Sequence, residues 1–198
     1  MKETDQQKPE LWLIRHGETA WSLSGQHTSR TDIPLTDHGK LRAEEIRNYL
    51  AGRPFSLVLT SPRQRAEATC RIAGYGDVAQ VDENLSEWDY GSYDGRTTAE
   101  IRAERPGWSI WEDGVVGGEA IEQVALRAQA VIERSLAAGG QVALFSHAHF
   151  LRILAATWLG LGPRGGKLLA LGTGSISRLA FERENRVILS WNRSFEND

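Results

Sequence analysis

The sequence predicts an α/β domain built on an open sheet. Three observations carry this. Short apolar runs at 11–14, 57–60 and 141–145 each deliver a cluster of polar side chains at their C-terminal ends, helical apolar spacing fills the intervals, and two more strand-like runs close the chain. In open α/β sheets that end of the strands is where ligands bind.

The bulk numbers are those of one ordinary domain: 198 residues, 40% hydrophobic, 25% charged, formal net charge −3. Nothing in this balance calls for a nucleic-acid or membrane partner, and no apolar run approaches the roughly 18 residues that span a bilayer. Residues 1–10, MKETDQQKPE, lack the apolar stretch of a signal peptide or anchor and read as a disordered tail, leaving 11–198 for the domain. Cys70 is the one cysteine, so no internal disulfide can form. A buried free thiol in a reducing, cytoplasmic compartment is expected.

The first strand, Leu11 to Ile14, runs into Arg15-His16-Gly17-Glu18-Thr19. An imidazole that attacks phosphorus must be neutral, rigidly aimed and flanked by cations. Arg15 supplies one cation, and Gly17 leaves room for a sharp turn or a ligand beside the ring. Residues 22–36 are small, hydroxylated and turn-forming, so they read as a loop over the sheet edge. Asp37 to Ala51 is the first predicted helix, capped by Thr36, with Ala43, Ile46 and Leu50 on one face.

After the strand Leu57–Thr60, Ser61-Pro62 opens a second helix. Arg63 and Arg65 fall in its first turns, where the helix dipole disfavours cations; a bound anion would reverse that penalty. A short strand at Val78–Val81 precedes Asn84 to Gly95, which holds acids, aromatics and glycines in the pattern of a ligand-shaping loop. On chemistry alone Glu87 and Asp89 compete there for the part of general acid. Thr97 and Glu100 form a capping box on a helix stopped by Pro106. Residues 107–114 read as an aromatic-rich lid or specificity loop, and a long amphipathic helix ends near Ala138. The strand 141–145 leads into Ser146-His147-Ala148-His149, then a helix to about Leu159. The His-x-His pair lacks the carboxylate or cysteine partners of a metal site, so no metal is expected. Lys167–Leu171, Ser175–Phe181 and Arg186–Trp191 read as closing strands, the last two as an antiparallel edge hairpin.

Arg15-His16-Gly17-Glu18-Thr19 with Trp21 resembles the signature of the histidine phosphatase superfamily, whose members include cofactor-dependent phosphoglycerate mutases and many phosphatases. Ser61-Pro62-Arg63-Gln64-Arg65-Ala66 with Thr69 resembles its second motif, and Leu85-Ser86-Glu87 with Gly91 and Tyr93-Asp94-Gly95 its third. The resemblance covers nearly the whole chain after residue 10. It implies one three-layer α/β/α domain with a mostly parallel mixed sheet, phosphoglycerate mutase-like. It also implies His16 as nucleophile, Glu87 as proton donor, and Arg15, Arg65 and His147 as the groups that hold the transferring phosphoryl. Ser22, Gln26, His27, Thr28 and Ser29 would form a substrate wall. Ala148 stands where the family has Gly beside the second histidine, Ser22 where many relatives have Asn, and Arg63, often Leu in relatives, is a candidate contact to a second phosphate, as is Arg30.

The expected reaction is hydrolysis of a small phosphorylated metabolite, a sugar phosphate or bisphosphate, through a phosphohistidine and without a cofactor. The run Glu87 to Tyr93, the Trp108–Gly114 loop and the second motif resemble a branch with broad acid phosphatases and sedoheptulose-bisphosphatase-like enzymes. A cofactor-dependent phosphoglycerate mutase is the alternative, disfavoured because only about sixty residues separate Glu87 from His147, too few for the insertion that shields the intermediate in mutases. A non-catalytic phosphosugar-binding module would be expected to lack His16 or Glu87. The oligomeric state is open, a homodimer included.

Overall fold

The computed structural model describes residues 8–195. Six strands form one mixed sheet in the order β3-β2-β4-β1-β5-β6. β1 is Glu10–Arg15, β2 Leu57–Thr60, β3 Gln80–Val81, β4 Gln141–Ser146, β5 Ile176–Glu182 and β6 Asn185–Arg193. β1 to β4 run parallel, and β5 and β6 add an antiparallel edge. This is the mostly parallel α/β domain that the sequence predicts.

Alternation along the central strands buries both faces of the sheet. Leu11, Leu13, Leu59, Val142 and Leu144 pack on one side, with helices α6 (Ile121–Ala138) and α7 (Ala148–Trp158). Trp12, Ile14, Val58, Ala143 and Phe145 pack on the other, with α2 (Asp37–Leu50) and α3 (Gln64–Ile72). The strands read as continuous apolar runs because neither face meets water. Cys70 lies in α3, buried, and burial pushes its thiol up to about 12, outside the reactive range.

Several elements differ from expectation. Residues 1–7 of the expected tail lie outside the described residues, but Glu10 already belongs to β1: it pairs with Gln141 and accepts Arg178 Nε at 2.6 Å. The expected loop contains a short helix, α1 (Ala20–Ser24), held by a reciprocal box in which Thr19 caps Ser22 N–H and Ser22 Oγ accepts Thr19 N–H. α3 starts at Gln64, two residues later than Pro62, and β3 is only two residues long. Lys167–Leu171 is not a strand. Pro163–Leu168 coils into a 3-10 turn whose Gly166 and Lys167 carbonyls accept Arg152, because β5 already occupies the sheet edge beside β1. α4 (Thr98–Glu104) has the capping box as read. The aromatic stretch is no lid: α5 (Ile110–Asp113) forms a helical turn, and Trp108 and Trp111 are 3% and 9% exposed in the core.

Candidate active site

β1 and β4 lie side by side, with Arg15 opposite Ser146. The next residue on each strand is a histidine, so His16 and His147 leave adjacent strand ends together, ring centroids 5.2 Å apart. The two strand ends are tied by His16 N–H donating to the Ser146 carbonyl at 3.0 Å. Gly17 N–H donates to Thr69 Oγ1 at 3.0 Å, and Thr69 donates on to the Arg65 carbonyl at 2.7 Å, which fixes α3 against the same turn.

The glycine after His16 serves a different purpose from a turn or ligand space. A Cβ there would lie 2.3 Å from the Gly39 carbonyl oxygen, and a Cβ on Gly39 would lie 2.1 Å from the Glu18 carbonyl oxygen. Two backbones interlock where β1 meets α2.

His16 Nδ1 stands 2.7 Å from the Gly17 carbonyl oxygen. A carbonyl only accepts, so Nδ1 carries the proton and Nε2 keeps its lone pair. Burial, then Arg65 and Arg15, hold the ring well below the ordinary histidine range. The ring is therefore a neutral base in a cationic surround. His147 is held neutral the same way, first by burial and then by Arg65. Its Nε2 pairs with Ser61 Oγ at 2.7 Å.

Arg65 is wholly buried, with Nη2 on the Thr28 carbonyl at 3.2 Å, Nη1 on that of Thr31 at 3.4 Å, and Asp32 at 3.9 Å. Arg15 donates to the Leu171 carbonyl. Burial lowers Arg15 to about 10, which leaves it charged at neutral pH, and lowers Arg65 as well. The Nε of each arginine and Nδ1 of His147 are buried without a partner. Unsatisfied buried polar groups are rare in proteins; Arg15 and His147 carry theirs at the adjacent ends of β1 and β4, and Arg63 Nε is unpartnered as well.

Glu87 faces the same place, 7% exposed. Oε1 accepts the N–H groups of Trp88 at 2.9 Å and Phe150 at 2.8 Å, and Oε2 that of His149 at 3.1 Å. The carboxylate thus sits on the N-terminus of α7, where orphan N–H groups favour an anion. Arg127 braces its segment with bonds to the Asn84 and Ser86 carbonyls at 2.6 and 2.9 Å while pairing with Glu119 at 2.8 Å. Asp89, the rival candidate, instead pairs with Arg30 at 2.5 Å and accepts Gly91 N–H at 3.1 Å.

Arg15, His16 and Glu87 open on a cleft of about 190 Å³. Of the predicted wall, Ser22, Gln26, His27, Thr28 and Ala148 line it. Ser29 does not: its N–H and hydroxyl both turn to Asp94 Oδ1, at 2.6 and 3.0 Å. Arg63 and Arg30 lie on a neighbouring cavity of about 290 Å³ that meets the cleft only at Glu87. The sequence reading missed Tyr90, which lines the cleft and shares a 2.6 Å hydrogen bond with His149 Nδ1. It also missed Asp94, whose Oδ2 takes Thr31 N–H at 3.0 Å and Thr31 Oγ1 at 2.6 Å, pinning the loop that holds Arg65. The Asp94-Gly95 pair was the available signal. His147 and His149 point apart, to Ser61 and to Tyr90.

Residues 11–194 match the family model of the histidine phosphatase superfamily (branch 1). The chain is 40% identical over 182 residues to an acid phosphatase of Mycobacterium tuberculosis, covering 90% of this chain and 89% of that protein. It is 37% identical over 187 residues to a sedoheptulose 1,7-bisphosphatase of Saccharomyces cerevisiae, covering 78% and 69%. A solved structure of a Mycobacterium tuberculosis open reading frame superposes with a TM-score of 0.88 at 37% identity, covering 93% of this chain and 97% of that one. The chain belongs to the histidine phosphatase superfamily, branch 1.

Proposed function

We propose that the chain hydrolyses phosphate monoesters of small metabolites through a phosphohistidine on His16, with sugar phosphates as the substrate class. The observation that carries this is the tautomer of His16: with Nδ1–H spent on the Gly17 carbonyl, Nε2 is an unprotonated nucleophile flanked by Arg15 and Arg65. The names of the phosphatase relatives support the reading.

In the first step Nε2 attacks phosphorus in line, the bond to the leaving oxygen breaks, and Glu87 supplies the proton that oxygen needs. Arg15, Arg65 and His147 take the non-bridging oxygens, which is the use we assign to their unpartnered nitrogens. In the second step Glu87 accepts a proton from water, the water oxygen bonds phosphorus, the N–P bond breaks and His16 returns neutral. Two guanidiniums and an imidazole meet the charge of the transition state, so the chemistry is complete without a cofactor. Ser22, Gln26, His27 and Thr28, which line the cleft, are the groups we assign to the leaving group.

The test is phosphate release from sugar phosphates and p-nitrophenyl phosphate, with 2- and 3-phosphoglycerate included and their interconversion followed with and without 2,3-bisphosphoglycerate. Release that His16→Ala abolishes is expected. Interconversion without release would make the chain a mutase.

A further inference from the structure

The cleft beside His16 is small and its far wall is uncharged. At about 190 Å³ it falls below the roughly 300–1,000 Å³ usual for small-molecule sites. Among the described residues, Arg15 and Glu87 are the only charged side chains that line it apart from the histidines, and Arg15 belongs to the phosphoryl end. The rest of the wall is Gln26, His27, Tyr90 and His149 with small residues between. Burial keeps His27 below the ordinary histidine range and His149 well below it, so both rings are neutral hydrogen-bonding groups at neutral pH. Neutral amide, phenol and imidazole groups match hydroxyls; a second phosphate needs a cation.

The nearby cations do not line the cleft: Arg152 and Arg30 are paired elsewhere, and Arg63, whose Nε is buried without a partner, lines the neighbouring cavity instead. Arg152 donates to the Gly166 carbonyl at 3.0 Å and stacks on Trp111 at 4.6 Å. Arg30 is paired with Asp89, and both Arg30 and Arg63 face the neighbouring cavity on the other side of Glu87. A second dianion in the cleft would sit beside Glu87 with no counter-charge of its own, at a large desolvation cost.

We propose that this cleft selects monophosphate esters with a short, uncharged, hydroxyl-bearing leaving group and discriminates against a second phosphate on that group. The proposal rests on the phosphatase reading above and narrows its substrate class. It also removes 2,3-bisphosphoglycerate as a fitting ligand.

The experiment compares kcat/KM for erythrose 4-phosphate against erythritol 1,4-bisphosphate, and for fructose 6-phosphate against fructose 1,6-bisphosphate, with p-nitrophenyl phosphate reporting the chemistry alone. The monophosphate of each pair is expected to be favoured at least ten-fold. Gln26→Arg and His27→Arg, each placing a cation on the wall, are expected to shift that ratio at least ten-fold toward the bisphosphate. A wild-type enzyme that prefers the bisphosphate overturns the proposal, and loss of that preference in Arg63→Ala would put the second phosphate in the neighbouring cavity. A monophosphate preference that neither arginine alters also overturns it, since selection would then lie outside this wall. Turnover of p-nitrophenyl phosphate separates these outcomes from failure of the phosphatase reading itself, in which no ester releases phosphate.

Discussion

Glu87 Oε1 and Phe150 N–H are joined at 2.8 Å, so the loop after β3 and the start of α7 hold one carboxylate between them. In its protonated form that side chain is the proposed proton donor, and as the carboxylate it is the base of the second step. In Glu87→Gln the side-chain oxygen can still accept from α7, so the fold should persist while proton transfer is lost. The expected fall in kcat is roughly 10²- to 10⁴-fold on alkyl phosphates and much smaller on p-nitrophenyl phosphate, whose leaving group needs no proton. Steady-state kinetics on both esters checks this; equal losses would remove Glu87 from the role.

Stability should fall with acid below the ordinary histidine range. His16, His147 and His149 are all buried and held neutral, by desolvation first and neighbouring arginines second, with Arg152 the leading one at His149. The unfolded chain binds those protons below about pH 6.5 and the folded chain does not, so unfolding is favoured as pH drops through that window. Each site contributes a slope of up to about 1.4 kcal/mol per pH unit. Urea unfolding midpoints should be level from pH 8 to 7 and drop steadily from 6.5 to 5. A flat profile down to pH 5 would mean that the rings charge freely in the folded state.

The strand edge was legible in the sequence because it rests on local signals: an apolar run that ends in Arg15-His16, and a second that ends in Ser146-His147. Register alone then brings the histidines together. Ser29 was misplaced for the opposite reason, since its partner Asp94 is 65 residues away and no local pattern announces the pairing. Arg63 follows the same logic: its place in the second motif suggested the phosphate, but Glu87 separates its cavity from the cleft. Trp108 and Trp111 looked like a lid because aromatic-rich loops often are, yet they pack behind His27 and His149 at 5.7 and 5.2 Å and stiffen the wall from within.

Asp94 tests how far the loop 28–31 governs Arg65. Burial works against its charge, but bonds from Thr31 and Ser29 hold the carboxyl below its usual range. In Asp94→Ala the freed N–H and hydroxyl groups cost about 1–3 kcal/mol. The carbonyls of Thr28 and Thr31 then lose their fixed position on Arg65. KM for phosphate esters should rise more than kcat falls. An unchanged KM in a folded variant would show that Arg65 keeps its aim without the loop.

Gly39 lies on α2, away from the chemistry, and still bears on it. A methyl group there would meet the Glu18 carbonyl oxygen at 2.1 Å, so the backbones must part. Gly39→Ala is expected to cost about 1–3 kcal/mol of stability. It should also lower kcat at least ten-fold by moving the Arg15–Glu18 turn. Thermal unfolding and p-nitrophenyl phosphate turnover check both, and a variant with wild-type values would mean that α2 shifts at no cost.

The central claim is that His16 carries the phosphoryl group. Enzyme mixed with ³²P-labelled substrate, quenched in alkali within one turnover and mapped by mass spectrometry should yield one acid-labile, alkali-stable label on His16 Nε2, absent in His16→Ala. Label on any other residue, or full turnover by His16→Ala, would contradict the account.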